Sequence, residues 1–231
     1  MNMRVNGIGM TSPRTRARMI ERLREQGIKN ETVLAAMYDV PRHLFVDEAL
    51  ASRAYDDVSL PINFNQTISR PYIVARTVEV LCAGGPLGRV LEIGTGCGYQ
   101  AAVLAQVAKE VYTVERIPGL ATRAQATLNR LGYANVQVFA ADGTLGLPAH
   151  APFDGIIVTA GGVELPKPFV EQLAMGGRIV IPLGDYRDGQ SMYRFTKSPE
   201  GLQAENLGGF AFVPLIGRYC WDDSQFTHEP S

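Results

Sequence analysis

The chain has 231 residues, 46% apolar and 19% charged, enough to bury a substantial core, which excludes a compositionally disordered protein. Its 22 Lys and Arg balance 23 Asp and Glu for a formal charge of −1, leaving no excess positive field to hold a nucleic-acid backbone. No run approaches the roughly 20 apolar residues of a membrane helix, the start MNMRVNGIGM lacks the apolar region of a secretory signal, and Cys82, Cys97 and Cys220 form no Cys-x-x-Cys pair. A single domain in the reducing cytoplasm is therefore expected, with no nucleic-acid or membrane partner and no metal.

Residues 1–12 are polar and aperiodic and read as a flexible tail, with Met3 and Met10 as candidate alternative starts. From Pro13 to Gln26, Met19, Ile20 and Leu23 recur at helical spacing and Gly27 stands where a helix stops. A second helix is predicted over 30–38, with Asn30 as its cap and Val33, Leu34 and Met37 on one face. Residues 52–70 read as a long loop. A third helix starts at Ser69-Arg70-Pro71, with Ile73, Val74, Val78 and Leu81 at three- to four-residue intervals.

Beyond Ala83 short apolar runs alternate with helical stretches. The runs are 89–93, 111–114, 136–139, 156–159 and 178–181; the helices are 99–108, 120–131 and 168–174. Strands apolar on both faces and separated by helices predict a doubly wound α/β domain with a mostly parallel sheet. The runs 191–197 and 208–216 have no helix between them and read as an antiparallel pair closing the sheet. The domain is expected to span 13–217, with 13–82 supplying helices and an active-site loop and 83–217 the cofactor-binding sheet. Residues 218–231 form a tail that either folds over the sheet edge through Tyr219 and Trp221 or mediates association.

The first run leads into V-L-E-I-G-T-G-C-G-Y, with Gly94, Gly96 and Gly98 directly before a helix. Glycines here permit a sharp turn and close approach of a ligand to the backbone, while the helix N–H groups face the site. The third glycine of a dinucleotide fingerprint would stand at position 99, which is Tyr99, and this weakens a nicotinamide reading. The Glu-x-Gly-x-Gly-x-Gly pattern instead resembles the first motif of the S-adenosylmethionine-dependent methyltransferases, which implies S-adenosyl-L-methionine as cofactor. Glu115 ends the second run about 20 residues beyond the loop, where a carboxylate can accept from ribose hydroxyls. Asp142 and Gly143 follow the third run and are the candidate adenine contacts. Glu92 is a further candidate, either touching the cofactor or orienting the loop; Cys97 reads as a small loop residue.

The acceptor class decides what else is needed. Amine methylation commonly employs an Asn/Asp-Pro-Pro-aromatic segment after the fourth strand, where this chain reads V-T-A-G-G over 158–162. Phenols and alcohols usually need a base or a metal, yet His43, His150 and His228 are scattered, and His43 and His228 read as surface residues. A carboxylate is already ionised at neutral pH and needs no base. The segment N-Q-T-I-S-R-P-Y-I-V-A over 65–75, with L-E-I-G-T-G-C-G-Y-Q, V-E-R-I, A-P-F-D-G-I-I-V-T-A and F-V-P-L, closely resembles the protein-L-isoaspartate (D-aspartate) O-methyltransferases. That resemblance runs from about residue 13 to 217, departing from the family pattern at Ala141 and Cys97.

The resemblance implies an enzyme that methylates the free α-carboxyl of L-isoaspartyl residues in damaged proteins and peptides, with D-aspartyl residues left open as a further substrate, so that the ester collapses to a succinimide and repair follows. It also implies that Ser69 is the active-site residue, that Thr67 and Ile68 line the cofactor beside it, and that Val213, Pro214 and Leu215 help hold the peptide. From local chemistry Ser69 has a competing role as cap of the helix at Pro71; as a catalytic group it would aim the acceptor carboxylate. A monomer is the working expectation. Two alternatives stay open: a methyltransferase for a small molecule or RNA, and a cofactor-binding protein without turnover.

Overall fold

In the computed structural model, which describes residues 7–185, 189–222 and 224, the amino-terminal third is helical. Helices α1 (Pro13–Glu25) and α2 (Glu31–Asp39) bury Met19, Leu23, Val33, Leu34 and Met37, and the Asn30 side chain accepts from the Thr32 and Val33 N–H groups. After them the expected long loop carries more structure than its composition suggests. A 3-10 helix over Glu48–Arg53 runs into its start, and within it lies a small hairpin of β1 (Leu60–Pro61) and β2 (Thr67–Ile68), paired antiparallel. Two-residue strands leave no period to read, which explains the miss. Helix α3 (Pro71–Cys82) follows and buries Ile73, Val74, Val78 and Leu81.

The apolar runs form strands β3 (Leu87–Ile93), β4 (Ala108–Glu115), β5 (Val136–Ala140), β6 (Phe153–Val158) and β7 (Leu173–Leu183), joined by β8 (Gln190–Ser198) and β9 (Gly201–Phe210). The sheet order is β5-β4-β3-β6-β7-β8-β9, parallel through β7 and antiparallel for the last two strands. Successive residues serve opposite faces: Val90, Ile157 and Val180 join one apolar cluster with α1–α3, whereas Leu91, Ile156 and Ile179 join another with Phe169. Each fully buried aliphatic side chain contributes about 1.5–3 kcal/mol of transfer free energy. This is the doubly wound architecture expected.

Helices α4 (Tyr99–Leu104), α5 (Pro118–Leu131) and α6 (Lys167–Gln172) join the strands. Three boundaries differ most from expectation, the first being β7, which starts at Leu173, within the helix expected to reach 174. Helix α4 stops at Leu104 because the chain already pairs with β3 from Ala108. The last strand is 201–210 rather than 208–216: a turn at Pro199-Glu200 brings Gly201 opposite Ser198, and the resulting edge strand is exposed and polar, without an apolar period. No described helix is long and apolar enough to cross a membrane. Of the expected tails, Gly9–Thr11 forms a 3-10 turn, while 1–6, 225–231 and with them His228 lie outside the described residues. His43 corrects an expectation: it is buried, with Nδ1 2.7 Å from the Tyr55 hydroxyl, because the chain folds residues 42–44 under the 48–53 turn.

Candidate active site

Strand β3 has β4 on one side and β6 on the other, so successive connections leave it in opposite directions, and a crevice opens at the carboxyl ends of the strands. The glycine loop sits there. The Gly94 N–H donates to the Val114 carbonyl at 2.9 Å, and the Thr159 hydroxyl donates to the Ile93 and Gly94 carbonyls at 3.0 and 2.8 Å. Gly94 has φ +95°, and an added Cβ would strike the Thr159 hydroxyl, so only glycine fits. Gly98, at φ +87°, starts α4 against Ala124 and Leu128.

The cleft holds about 570 Å³, enough for a nucleoside-sized ligand. Gly94, Gly96, Glu115 and Gly143 line it from the sheet side, and Phe64–Ser69 from the hairpin side. The Glu115 carboxylate is held in place, Oε2 accepting from the Gly96 N–H and Oε1 from the Ile117 N–H, both at 2.9 Å. Each oxygen keeps a lone pair for a ligand hydroxyl. A Cβ on Gly143 would lie 2.6 Å from Ile93 Cγ2, so the cleft wall there is backbone. These are the features a bound S-adenosyl-L-methionine requires, and the residues fit it.

Three candidates stand behind the lining, Gly98 at the start of α4 and the two acidic residues Glu92 and Asp142. Glu92 is fully buried beneath the loop; Oε2 accepts from the Thr113 hydroxyl at 2.6 Å, and Thr113 lies 2.7 Å from the Thr95 hydroxyl. Burial, reinforced by Glu115, pushes its carboxyl up to about 8, so it stays protonated at neutral pH and acts on the loop from below. Asp142 takes the Thr144 N–H and hydroxyl on Oδ1 and the Arg218 N–H on Oδ2. The expected adenine contact is thus bonded to the chain beyond Gly217, with Oδ2 retaining a lone pair. Burial pushes the Cys97 thiol up to about 11, which leaves no thiolate for nucleophilic work at neutral pH.

Ser69 does not cap α3. The cap position is Arg70, and no side chain bonds there; Ser69 instead lines the cleft. It also lines a second opening of about 630 Å³, bounded by Ser59, Arg70, Phe210, Phe212 and Val213. Thr67, Ser69, Thr159 and Val213 belong to both cavities. Val213 is half-exposed, and Leu215 is buried. Both are pinned to the loop after β6: the Gly161 N–H donates to the Val213 carbonyl at 2.7 Å, and the Leu215 N–H donates to the Gly161 carbonyl at 2.8 Å. Pro214, bridged to Gly161, lines the cofactor side.

Residues 14–219 match the sequence profile of the protein-L-isoaspartate(D-aspartate) O-methyltransferases. The chain belongs to that family. It is 57% identical over 215 residues to the protein-L-isoaspartate O-methyltransferase of Methylobacillus flagellatus, covering 92% of this chain and 96% of the relative. The enzyme of the same name from Nitrosomonas eutropha is 56% identical over 218 residues, covering 94% and 97%. Among solved structures, a protein-L-isoaspartate O-methyltransferase superposes with a TM-score of 0.81 at 29% identity, covering 89% of this chain and 67% of that one. A Plasmodium falciparum protein assigned to the same activity, solved with S-adenosyl-L-homocysteine, gives 0.72 at 26% identity and covers 86% and 97%.

For this family member, reading the sequence left out Thr159 and Arg42. Thr159 follows a buried strand at a loop start, a position many threonines occupy, and only the fold shows it spanning both cavities. Arg42 carried one signal, a cation inside the apolar stretch 40–46, but nothing in its neighbours said what it bonds.

Proposed function

We propose that the protein is a repair methyltransferase that transfers a methyl group from S-adenosyl-L-methionine to the free α-carboxylate of L-isoaspartyl residues in damaged proteins and peptides. The observation that carries this reading is the junction of the two cavities. A cleft built for a nucleoside cofactor and an opening reachable from the surface meet at Thr67, Ser69, Thr159 and Val213. The second opening gives the acceptor its own entry beside the cofactor cleft, with the exposed Val213 at its edge.

When bound, the cofactor supplies a methyl group on a sulfonium. The chain's residues have three tasks. Glu115, fixed by two backbone N–H groups, accepts from the ribose hydroxyls, and the 94–98 loop receives the methionine part. Gly143 would form the adenine wall and Asp142, behind it, would accept from the amino group through Oδ2, while Glu92 supports the loop from beneath. Ser69, beside Thr67 and Ile68, donates its hydroxyl to one oxygen of the acceptor carboxylate and so aims the other along the line of displacement. The acceptor is an anion at neutral pH, so no general base is required. Val213, Pro214 and Leu215 hold the peptide at the mouth.

The proposal includes a single catalytic domain over 13–217 with 218–231 as an appendage. It also includes D-aspartyl residues as substrates, a monomer, and a cytoplasmic location, the last supported by the three free cysteines. Radiolabelled cofactor and paired peptides differing only in aspartyl or isoaspartyl linkage test the reaction. Label is expected in the isoaspartyl peptide alone. Equal label in both, or label in RNA and neither peptide, overturns it.

A further inference from the structure

Arg42 touches neither cavity, yet it joins their walls. Its side chain is fully buried. Nε donates to the Ala54 carbonyl and Nη2 to the Ser69 carbonyl, both at 2.7 Å, and the guanidinium lies 4.7 Å from the centre of the Tyr99 ring. Among the described residues no carboxylate pairs with it, and Nη1 has no hydrogen-bond partner. Tyr99 is the first residue of the helix that follows the glycine loop and lines the cofactor cleft. It is held in turn by Phe45, edge-on at 5.7 Å, and by Met37 Sδ, 3.6 Å from its hydroxyl.

Burying an unpaired guanidinium carries a large desolvation penalty, which two carbonyl dipoles and one aromatic face offset only in part. A neutral donor would satisfy the same carbonyls at lower cost. What a neutral side chain lacks is the rigid planar fork, which presents two donors at fixed angles and a flat face to stack at the same time. That fork ties three segments far apart in sequence: the 48–54 turn, the acceptor loop at Ser69, and the start of the helix behind the glycine loop.

We propose that Arg42 is a positioning residue that fixes Ser69 relative to the cofactor loop, and thereby sets the acceptor carboxylate in line for methyl transfer. The inference rests on the role given to Ser69 above. Arg42 touches neither substrate nor cofactor; its effect passes through the Ser69 backbone on one side and Tyr99 on the other.

The test is a double-mutant cycle of Arg42→Lys and Ser69→Ala, with kcat and the peptide KM measured per folded molecule. S-adenosyl-L-homocysteine binding by calorimetry and thermal melting accompany each variant. Lysine keeps the charge but has neither the planar fork nor a flat face to lay on Tyr99, so kcat is expected to fall roughly 10- to 100-fold while the S-adenosyl-L-homocysteine Kd moves less than about 3-fold. The double variant is expected to be about as slow as the worse single one, because an absent hydroxyl no longer needs placing. Multiplicative losses overturn the inference, as does an Arg42→Lys variant with wild-type kcat, or a loss that only follows the folded fraction. A Ser69→Ala variant with unchanged kcat removes the assignment of Ser69 itself, and the inference falls with it. Arg42→Met is a second variant; if it fails to fold, Arg42→Lys decides.

Discussion

One wall of the cleft is made by the carboxyl ends of β3, β4 and β6, and the other by a hairpin whose two strands are two residues each. The sheet wall is locked by continuous parallel ladders, by the Gly94 and Thr159 bonds, and by the network Glu92–Thr113–Thr95. The hairpin wall has one short ladder, the Ile62 N–H bond to the Gln66 carbonyl, and the guanidinium of Arg42 on the Ser69 carbonyl. Its tip places Phe64 and Asn65 at φ +60° and +55°, left-handed backbone without glycine. The difference suits their tasks. A cofactor of constant shape is met by a preformed surface, whereas the wall beside a varied polypeptide must admit different neighbours and is tied down at Ser69, which lines both cavities.

Substitutions can break this contrast, beginning with the largest effect. Gly94→Ala places a Cβ at positive φ against Thr159, so a loss of roughly 4 kcal/mol in stability and no measurable cofactor binding are expected, read by denaturant unfolding and calorimetry. A mild phenotype would show the sheet wall to be as forgiving as the hairpin. Glu92→Gln tests the network by its pH dependence. The native carboxyl titrates near 8 against 4.5 in the unfolded chain, so below about pH 4.5 both states are protonated and the group costs nothing. Between 4.5 and 8 the unfolded chain ionises while the native state does not, so the wild type loses stability as pH rises. Glu92→Gln is therefore expected to match the wild type at pH 4 and to exceed it by on the order of 3 kcal/mol at pH 8 in chemical denaturation. A constant difference across that range removes the protonated carboxyl from the account.

Glu115→Ala is expected to weaken cofactor binding by about 1 to 3 kcal/mol, the scale of charge-assisted hydrogen bonds, with peptide KM little changed. Unchanged cofactor affinity takes Glu115 out of the site. Asn65→Gly, at the hairpin tip, is expected to shift stability by no more than about 0.5 kcal/mol, since relief at positive φ is offset by a freer unfolded chain. A cost approaching that of Gly94→Ala would show the two walls to be built with equal tolerance.

Where a feature depends on neighbours along the chain, it is legible without the fold. The Val- and Ile-rich runs of β3, β4 and β6, the helical spacing of Met19, Ile20 and Leu23, the Asn30 cap and the Gly94–Gly98 spacing are all of this kind. Glu115 belongs with them, because one strand–helix–strand unit sets its distance from the loop. The two-strand hairpin was hidden because its elements are too short to show a period, and the exposed edge strand 201–210 because neither face is apolar.

The sequence by itself determined the α/β class, the place of the glycine loop and of Glu115 at the strand ends, and the resemblance that picked out Ser69. Only the tertiary structure decided that Ser69 faces two cavities instead of capping α3, and that Thr159 closes over Gly94 from 65 residues away. It alone buried His43 and bent residues 213–215 onto Gly161. The reason is physical: an N-cap, a helical face or a strand period is an interaction among residues a few positions apart, whereas Arg42 reaches Ser69 across 27 residues. Such a contact exists only once the chain has closed the loop between them, and its entropic cost is met by burial of the whole core rather than by any local preference.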